Sequence, residues 1–167
     1  MRTKGLFILA AVAAAVLVSP ASARMAFDDN KLNFRSCDGK NLTARWRGTD
    51  FHLSVPGKTL NPASPELKYL DWDGKCRSVH LDSKGRFAQT GADAAEASPV
   101  VNYLSWDGTK WAAMPSGNGF YAVLVGDEGA TVSAADLKEA ARWLTVNKPD
   151  SSVAGQLANA LTSVSGQ

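Results

Sequence analysis

The sequence predicts a mainly β domain: an antiparallel β-barrel or sandwich of about eight or nine strands, built from about three hairpin repeats, with one or two C-terminal helices. Three observations carry this prediction. Tyr69-Leu70-Asp71-Trp72-Asp73-Gly74 returns 34 positions later as Tyr103-Leu104-Ser105-Trp106-Asp107-Gly108, and residues 63–74 match 97–108 at eight of twelve positions. Each Asp-Gly pair stands between two strand-like runs, a strong short-range hairpin signal. Beyond Ser133 the apolar residues recur at helical spacing instead of alternating.

The chain opens with a targeting signal. Arg2 and Lys4 precede an uncharged apolar run of 14 residues, Gly5 to Val18, and Ser19-Pro20-Ala21-Ser22-Ala23 ends in small residues. That run falls short of the roughly 18–20 residues that span a bilayer. Residues 1–23 are therefore expected to be removed by cleavage after Ala23, which places the protein in the periplasm or the medium. No Cys stands at the cleavage point to carry a lipid, and the short Ala-rich signal is of bacterial type.

Removing 23 of the 167 residues leaves 144, enough for one domain with a substantial core. Losing Arg2 and Lys4 reduces the 18 basic side chains to 16, equal to the 16 acidic ones. A neutral chain without a basic stripe points away from nucleic acid and anionic membrane surfaces. Two cysteines remain, Cys37 and Cys76. In an oxidising compartment an even pair is expected to form a disulfide.

The expected units are a β-domain with a covering helix over 24–148 and a C-terminal helix or tail over 149–167. Arg24 to Lys31 reads as a polar end or an edge segment. Leu32 to Cys37, the turn Asp38-Gly39 and Lys40 to Trp46 form a first hairpin. It is an altered copy of the repeat, with Phe34 in the place of Tyr69 and Cys37 in that of Trp72. Phe51 to Val55 alternates as a half-buried strand. Pro62 and Pro65 impose a loop.

The second copy follows. With a two-residue turn at Asp73-Gly74, Trp72 pairs with Lys75 and Leu70 with Arg77. Leu70, Trp72, Val79 and Leu81 then share one face, and Tyr69, Asp71, Cys76, Ser78 and His80 the other. Arg86 to Gln89 is a third strand, and 91–98 a loop. The third copy runs from Val100 through Trp106 and Asp107-Gly108 to Met114. Phe120 to Val125, almost wholly apolar, is a buried strand. Gly119 and Tyr121 stand 34 positions after Gly85 and Phe87. Ser133 caps a helix with Asp136 reaching back, and Pro149 ends it.

A copy of about 35 residues is short for a four-stranded propeller blade of roughly 40–45. Three copies are also fewer than a propeller normally uses, which is why a barrel or sandwich is preferred.

The chain lacks a Gly-x-Ser-x-Gly elbow, a His-Glu-x-x-His pair and the glycine patterns that cradle phosphates or dinucleotides. Asp71 and His80, with Tyr69 beside them, come nearest to acid/base machinery. Asp71-x-Asp73-Gly74 and Asp82-x-Lys84-Gly85 resemble fragments of calcium loops, but a hairpin turn accounts for them and Lys75 would oppose a cation. No metal and no cofactor are expected. The aromatic residues are the candidate ligand-binding set: Trp46, Trp72, Trp106, Trp111, Tyr69 and Tyr103, whose rings offer large area with a polar handle. The competing role for these rings is core packing.

The leading expectation is a non-enzymatic secreted or periplasmic binding protein. It would engage a protein partner or a small apolar ligand, for instance as an inhibitor or envelope factor. A carbohydrate or cell-wall binding module using exposed Trp residues is the alternative, with a glycan as partner. A small hydrolase comes third.

Overall fold

The computed structural model describes residues 24–60, 62–90, 99–117, 119–147 and 152–166. The expected signal at 1–23, the expected loop at 91–98 and the expected helix stop at Pro149 lie outside the described residues. The described chain is mainly β and forms three antiparallel sheets followed by two helices.

The first sheet is a meander of β2 (Leu32–Arg35), β3 (Asn41–Arg47), β4 (Asp50–Val55) and β5 (Lys58–Thr59). The second contains β6 (Glu66–Leu70), β7 (Cys76–Leu81) and β8 (Phe87–Gln89). The third contains β9 (Val101–Leu104), β10 (Lys110–Ser116) and β11 (Gly119–Gly126), with β1 (Ala26–Asp29) added outside β11. The described strands form three separate sheets, and no closed barrel is found among them. Pro65 and Pro99 offer a physical reason. They stand just before β6 and β9, and a residue without an N–H does not continue a ladder into the next sheet. The leading strands β2, β6 and β9 instead contact one another pairwise.

Each leading strand sends alternate side chains inward. Leu32 and Phe34, Leu67 and Tyr69, and Val101 and Tyr103 are buried in one cluster with Ala44, Val79 and Ala113 from the paired strands. Phe51, Phe87 and Phe120 complete it from the third strand of each sheet. Phe87 and Phe120 stack with centroids 6.2 Å apart. Phe87 pairs with Leu81 and Phe120 with Pro115, so Phe120 rather than Tyr121 matches Phe87 in the ladder.

The turns differ from the two-residue form. Gly39, Gly74 and Gly108 have φ of 84°, 81° and 83°, while no described non-glycine residue has positive φ. The Asp before each glycine therefore stays in ordinary backbone space. The carbonyls of Ser36, Asp71 and Ser105 accept from these glycine N–H groups, and the N–H groups of the same three residues donate to Lys40, Lys75 and Thr109. This is a three-residue loop, a type I turn ending in a left-handed glycine. The extra loop residue shifts the register by one. Tyr69 faces Arg77 and Leu70 faces Cys76. Tyr69 rather than Leu70 thus joins Val79 and Leu81 on the core face, and Trp72 leaves the strand for the loop.

β1 makes the polar N-terminal stretch an edge strand. It runs antiparallel to β11, and Leu124 N–H donates to the Met25 carbonyl at 2.7 Å. Gly119 permits this docking, because a Cβ there would lie 2.1 Å from the Asp29 carbonyl oxygen. Gly119→Ala is expected to cost roughly 3 kcal/mol, the upper range for overpacking. Urea unfolding and proteolysis near Asn30 check it; an unchanged midpoint with β1 still protected would refute it.

β10 and β11 are buried on both faces. Ala113, Phe120 and Ala122 enter the central cluster, while Ala112, Met114, Tyr121, Val123 and Val125 meet the helices. Two buried faces explain the nearly unbroken apolar run of β11. Helix α1 (Ala134–Asn147) contributes Leu137, Ala140, Ala141 and Leu144. Helix α2 (Ser152–Ser165) contributes Ala154, Leu157, Ala158 and Leu161, so the C-terminal stretch is a docked helix.

Ser133 caps α1 as expected: its Oγ accepts from Asp136 N–H at 3.2 Å, and Asp136 accepts from Ser133 N–H at 2.9 Å. Arg24 adds a contact of 3.4 Å to the same carboxylate. The Ser133 N–H holds the Asp136 carboxyl below its usual range. A depressed acid stabilises the fold above its unfolded pKa and loses that contribution as pH falls through the folded one. Asp136→Ala is therefore expected to cost about 1 kcal/mol at neutral pH and progressively less below about pH 4. Chemical denaturation across pH tests this; a cost independent of pH would refute it.

Candidate functional site

The second sheet, β9 and the two helices enclose a pocket of about 540 Å³. Its polar side comes from the sheets. Tyr69 reaches it from β6, Asp71 from the end of that strand, Arg77 from β7, Gln89 from β8 and Asn102 from β9. Its largely apolar side comes from Leu137 of α1, from Ala160, Leu161 and Val164 of α2, with Ser163 among them, and from Pro99, Val100 and the Trp72 indole.

The register positions the polar groups. Tyr69 points inward opposite Arg77, and its hydroxyl accepts from Gln89 Nε2 at 3.3 Å. Burial pushes the Tyr69 phenol up to about 12, so it remains a proton donor at neutral pH. Asp71 Oδ2 accepts from Arg77 Nε at 3.1 Å, and Oδ1 accepts from Trp72 N–H. Burial nevertheless raises the Asp71 carboxyl above its usual range, because lost hydration outweighs these contacts.

Asp71 does not combine with His80. The register sets His80 opposite Glu66 and Ala88, one position out of phase with Arg77, Val79 and Leu81. Alternation then turns His80 away from the face on which Asp71 meets Arg77. The pair expected on one face is therefore separated, again by the one-residue register shift. The acidic-loop fragments are turns: Asp73 Oδ1 accepts from Lys75 N–H and Asp82 Oδ1 from Lys84 N–H. No cluster of three or more His, Cys, Asp or Glu suited to a metal occurs among the described residues.

Of the six aromatic candidates, Tyr69 and Trp72 come together in the pocket. Tyr103 is fully buried in the core, and burial pushes its phenol far up. Trp46 is half-buried and donates to the Gly119 carbonyl at 3.1 Å. Trp111 packs on Phe27 with centroids 5.5 Å apart, and its indole donates to Thr109 Oγ1. Trp106 donates to the Leu42 carbonyl at 2.8 Å.

Trp72 and Trp106 share a second role. Trp72, in the loop of the second sheet, donates to the Trp111 carbonyl on β10 of the third at 2.9 Å. Trp106, in the loop of the third sheet, reaches β3 of the first. Cys37 holds the matching loop position in the first sheet and is bonded to Cys76 on β7 of the second. Its sulfur, which carries no proton in the disulfide, lies 3.9 Å from the Arg77 carbonyl. Leu42, Arg77 and Trp111 occupy matching ladder positions opposite Phe34, Tyr69 and Tyr103. Each loop thus fastens its sheet to the next around the ring, twice by an indole and once by a disulfide.

On the other side of Trp72 a second depression of about 700 Å³ is lined by Arg35, Asp73, Lys110 and Glu128. Its opposed charges favour water over an apolar ligand. Sequence reasoning missed Arg77, Gln89, Asn102, Leu137, Leu161 and Val164 in the first pocket. The uncharged outer face of α2 was the available signal for its helical wall.

Comparison with protein-family models, curated proteins and solved structures found no match. The disulfide suits an oxidising compartment, and no described helix is long and apolar enough to cross a membrane.

Proposed function

We propose that the protein is a non-enzymatic binding protein of the periplasm or the medium, holding a small, largely apolar ligand between the second sheet and the two helices. The observation that carries this reading is the pocket, with most of its polar groups on the sheets and a largely apolar helix side. Its size falls within the range of about 300–1,000 Å³ common for small-molecule sites. The charged pair Asp71–Arg77 is internally matched, and a compensated ion pair suits a binding wall better than a proton-transfer centre. The apolar run at 5–18 and the disulfide support export. We also infer that the three sheets are copies of one three-stranded unit of about 35 residues, supported by the shared turn and the matching ladder positions.

Nile red, a neutral apolar dye, tests the site. The protein is expected to bind it saturably at one site. Val164 lines the pocket and is 58% exposed, so Val164→Trp can narrow the mouth without filling the core. That variant is expected to weaken binding at least about tenfold at an unchanged Tm. Dye binding unaffected by Val164→Trp would refute the assignment.

A further inference from the structure

We infer that this pocket selects a single-chain amphiphile with an uncharged hydrogen-bonding head, such as an alcohol or ester, over one with a carboxylate or ammonium head. The inference rests on reading the pocket as the ligand site and adds the chemical class of its occupant.

Charge is the first consideration. Asp71 and Arg77 are the only charged residues lining the pocket among the described residues, and they are joined at 3.1 Å. The lining is therefore neutral overall. An ionised head entering it would give up hydration without an uncommitted counter-charge, which costs far more than burying a neutral polar group. An anion would also approach the Asp71 carboxylate, and a cation the Arg77 guanidinium.

Hydrogen-bonding capacity is the second. The Tyr69 oxygen accepts from Gln89, leaving the phenol proton available for a ligand oxygen. The carboxamides of Gln89 and Asn102 each carry donors and an acceptor. Such a set matches a hydroxyl or ester, which donates and accepts without charge. The apolar groups come mainly from the helices, where Leu137, Leu161 and Val164 receive a hydrocarbon chain, with the Trp72 indole beside the polar groups. This division orients the ligand with its head towards the second sheet and its tail along the helices.

Calorimetric titration with dodecanol, dodecanoate and dodecyltrimethylammonium, at neutral pH and below micelle formation, tests the inference. Dodecanol is expected to bind at least about tenfold more tightly than either ion. Tyr69→Phe should weaken dodecanol about five- to tenfold, the loss of one hydrogen bond. Circular dichroism establishes that this variant is folded. Equal or tighter binding of an ionic probe by the unaltered protein would overturn the neutral-head assignment while leaving the pocket a ligand site. Binding of none of the three would overturn both. Binding to phosphatidylcholine vesicles without binding free dodecanol would overturn the single-chain class.

Discussion

Replacing Cys37 and Cys76 together with serine is expected to lower the unfolding free energy by about 4 kcal/mol. The bridge spans 39 positions, and loop-closure entropy for that length gives this magnitude. The bond also supplies what a Trp supplies elsewhere, since it ties the first hairpin loop to the second sheet where Trp72 and Trp106 tie the other two junctions. Its removal leaves the first and second sheets joined through the buried packing of Leu32, Phe34, Leu67 and Tyr69. Urea unfolding of the double variant measures the cost, and reductant applied to the unaltered protein should reproduce it. Thiol titration of the unfolded, unreduced protein should find no free cysteine. A loss below about 1 kcal/mol would mean that packing alone secures this junction.

The three hairpin loops also mark how far the sequence is legible. The recurrence of Tyr-Leu-x-Trp-Asp-Gly correctly marked a strand end and a turn, and Leu137, Ala140, Ala141 and Leu144 correctly marked the buried stripe of α1. Register was harder. Tyr69 and Leu70 are both apolar, so alternation around them fits either face, and a two-residue and a three-residue loop differ by one position. Lys68 breaks the tie, because an exposed charge there places Leu67 and Tyr69 inward. The turn chemistry points the same way, since a type I turn with a left-handed glycine asks positive φ of the glycine alone.

The aromatic residues show a different limit. Core packing and a binding platform are the two roles the sequence suggests for the Trp residues, whereas Trp72 and Trp106 stand half-buried between sheets with their N–H groups on neighbouring carbonyls. That role depends on how separate sheets pack, which no local pattern encodes. The pocket was illegible for the same reason: its lining runs from Tyr69 to Val164 and exists only once α1 and α2 have docked beside the second sheet.

Trp106→Ala is the second large expected effect. The residue is half-buried, its indole N–H donates to Leu42 on β3, and its own carbonyl accepts from Arg35 Nη2 at 3.0 Å. Truncation removes the packing and one hydrogen bond, so the expected cost is about 3 kcal/mol, the low end for Trp in a core. Trp106→Phe keeps most of the ring and loses the donor, leaving the Leu42 carbonyl a partner short, for about 1 kcal/mol. Trp72 would report less cleanly because it also lines the pocket. Combining Trp106→Ala with loss of the disulfide opens two of the three junctions. Independent effects would sum to about 7 kcal/mol, within the usual total stability of about 5–15 kcal/mol. In a closed ring each junction is backed by the other two, so losing the second should cost more than losing it first. The combined variant is therefore expected to be largely unfolded by circular dichroism at room temperature. A folded combined variant, destabilised no further than the disulfide variant alone, would show that the three loops do not act as fasteners between the sheets.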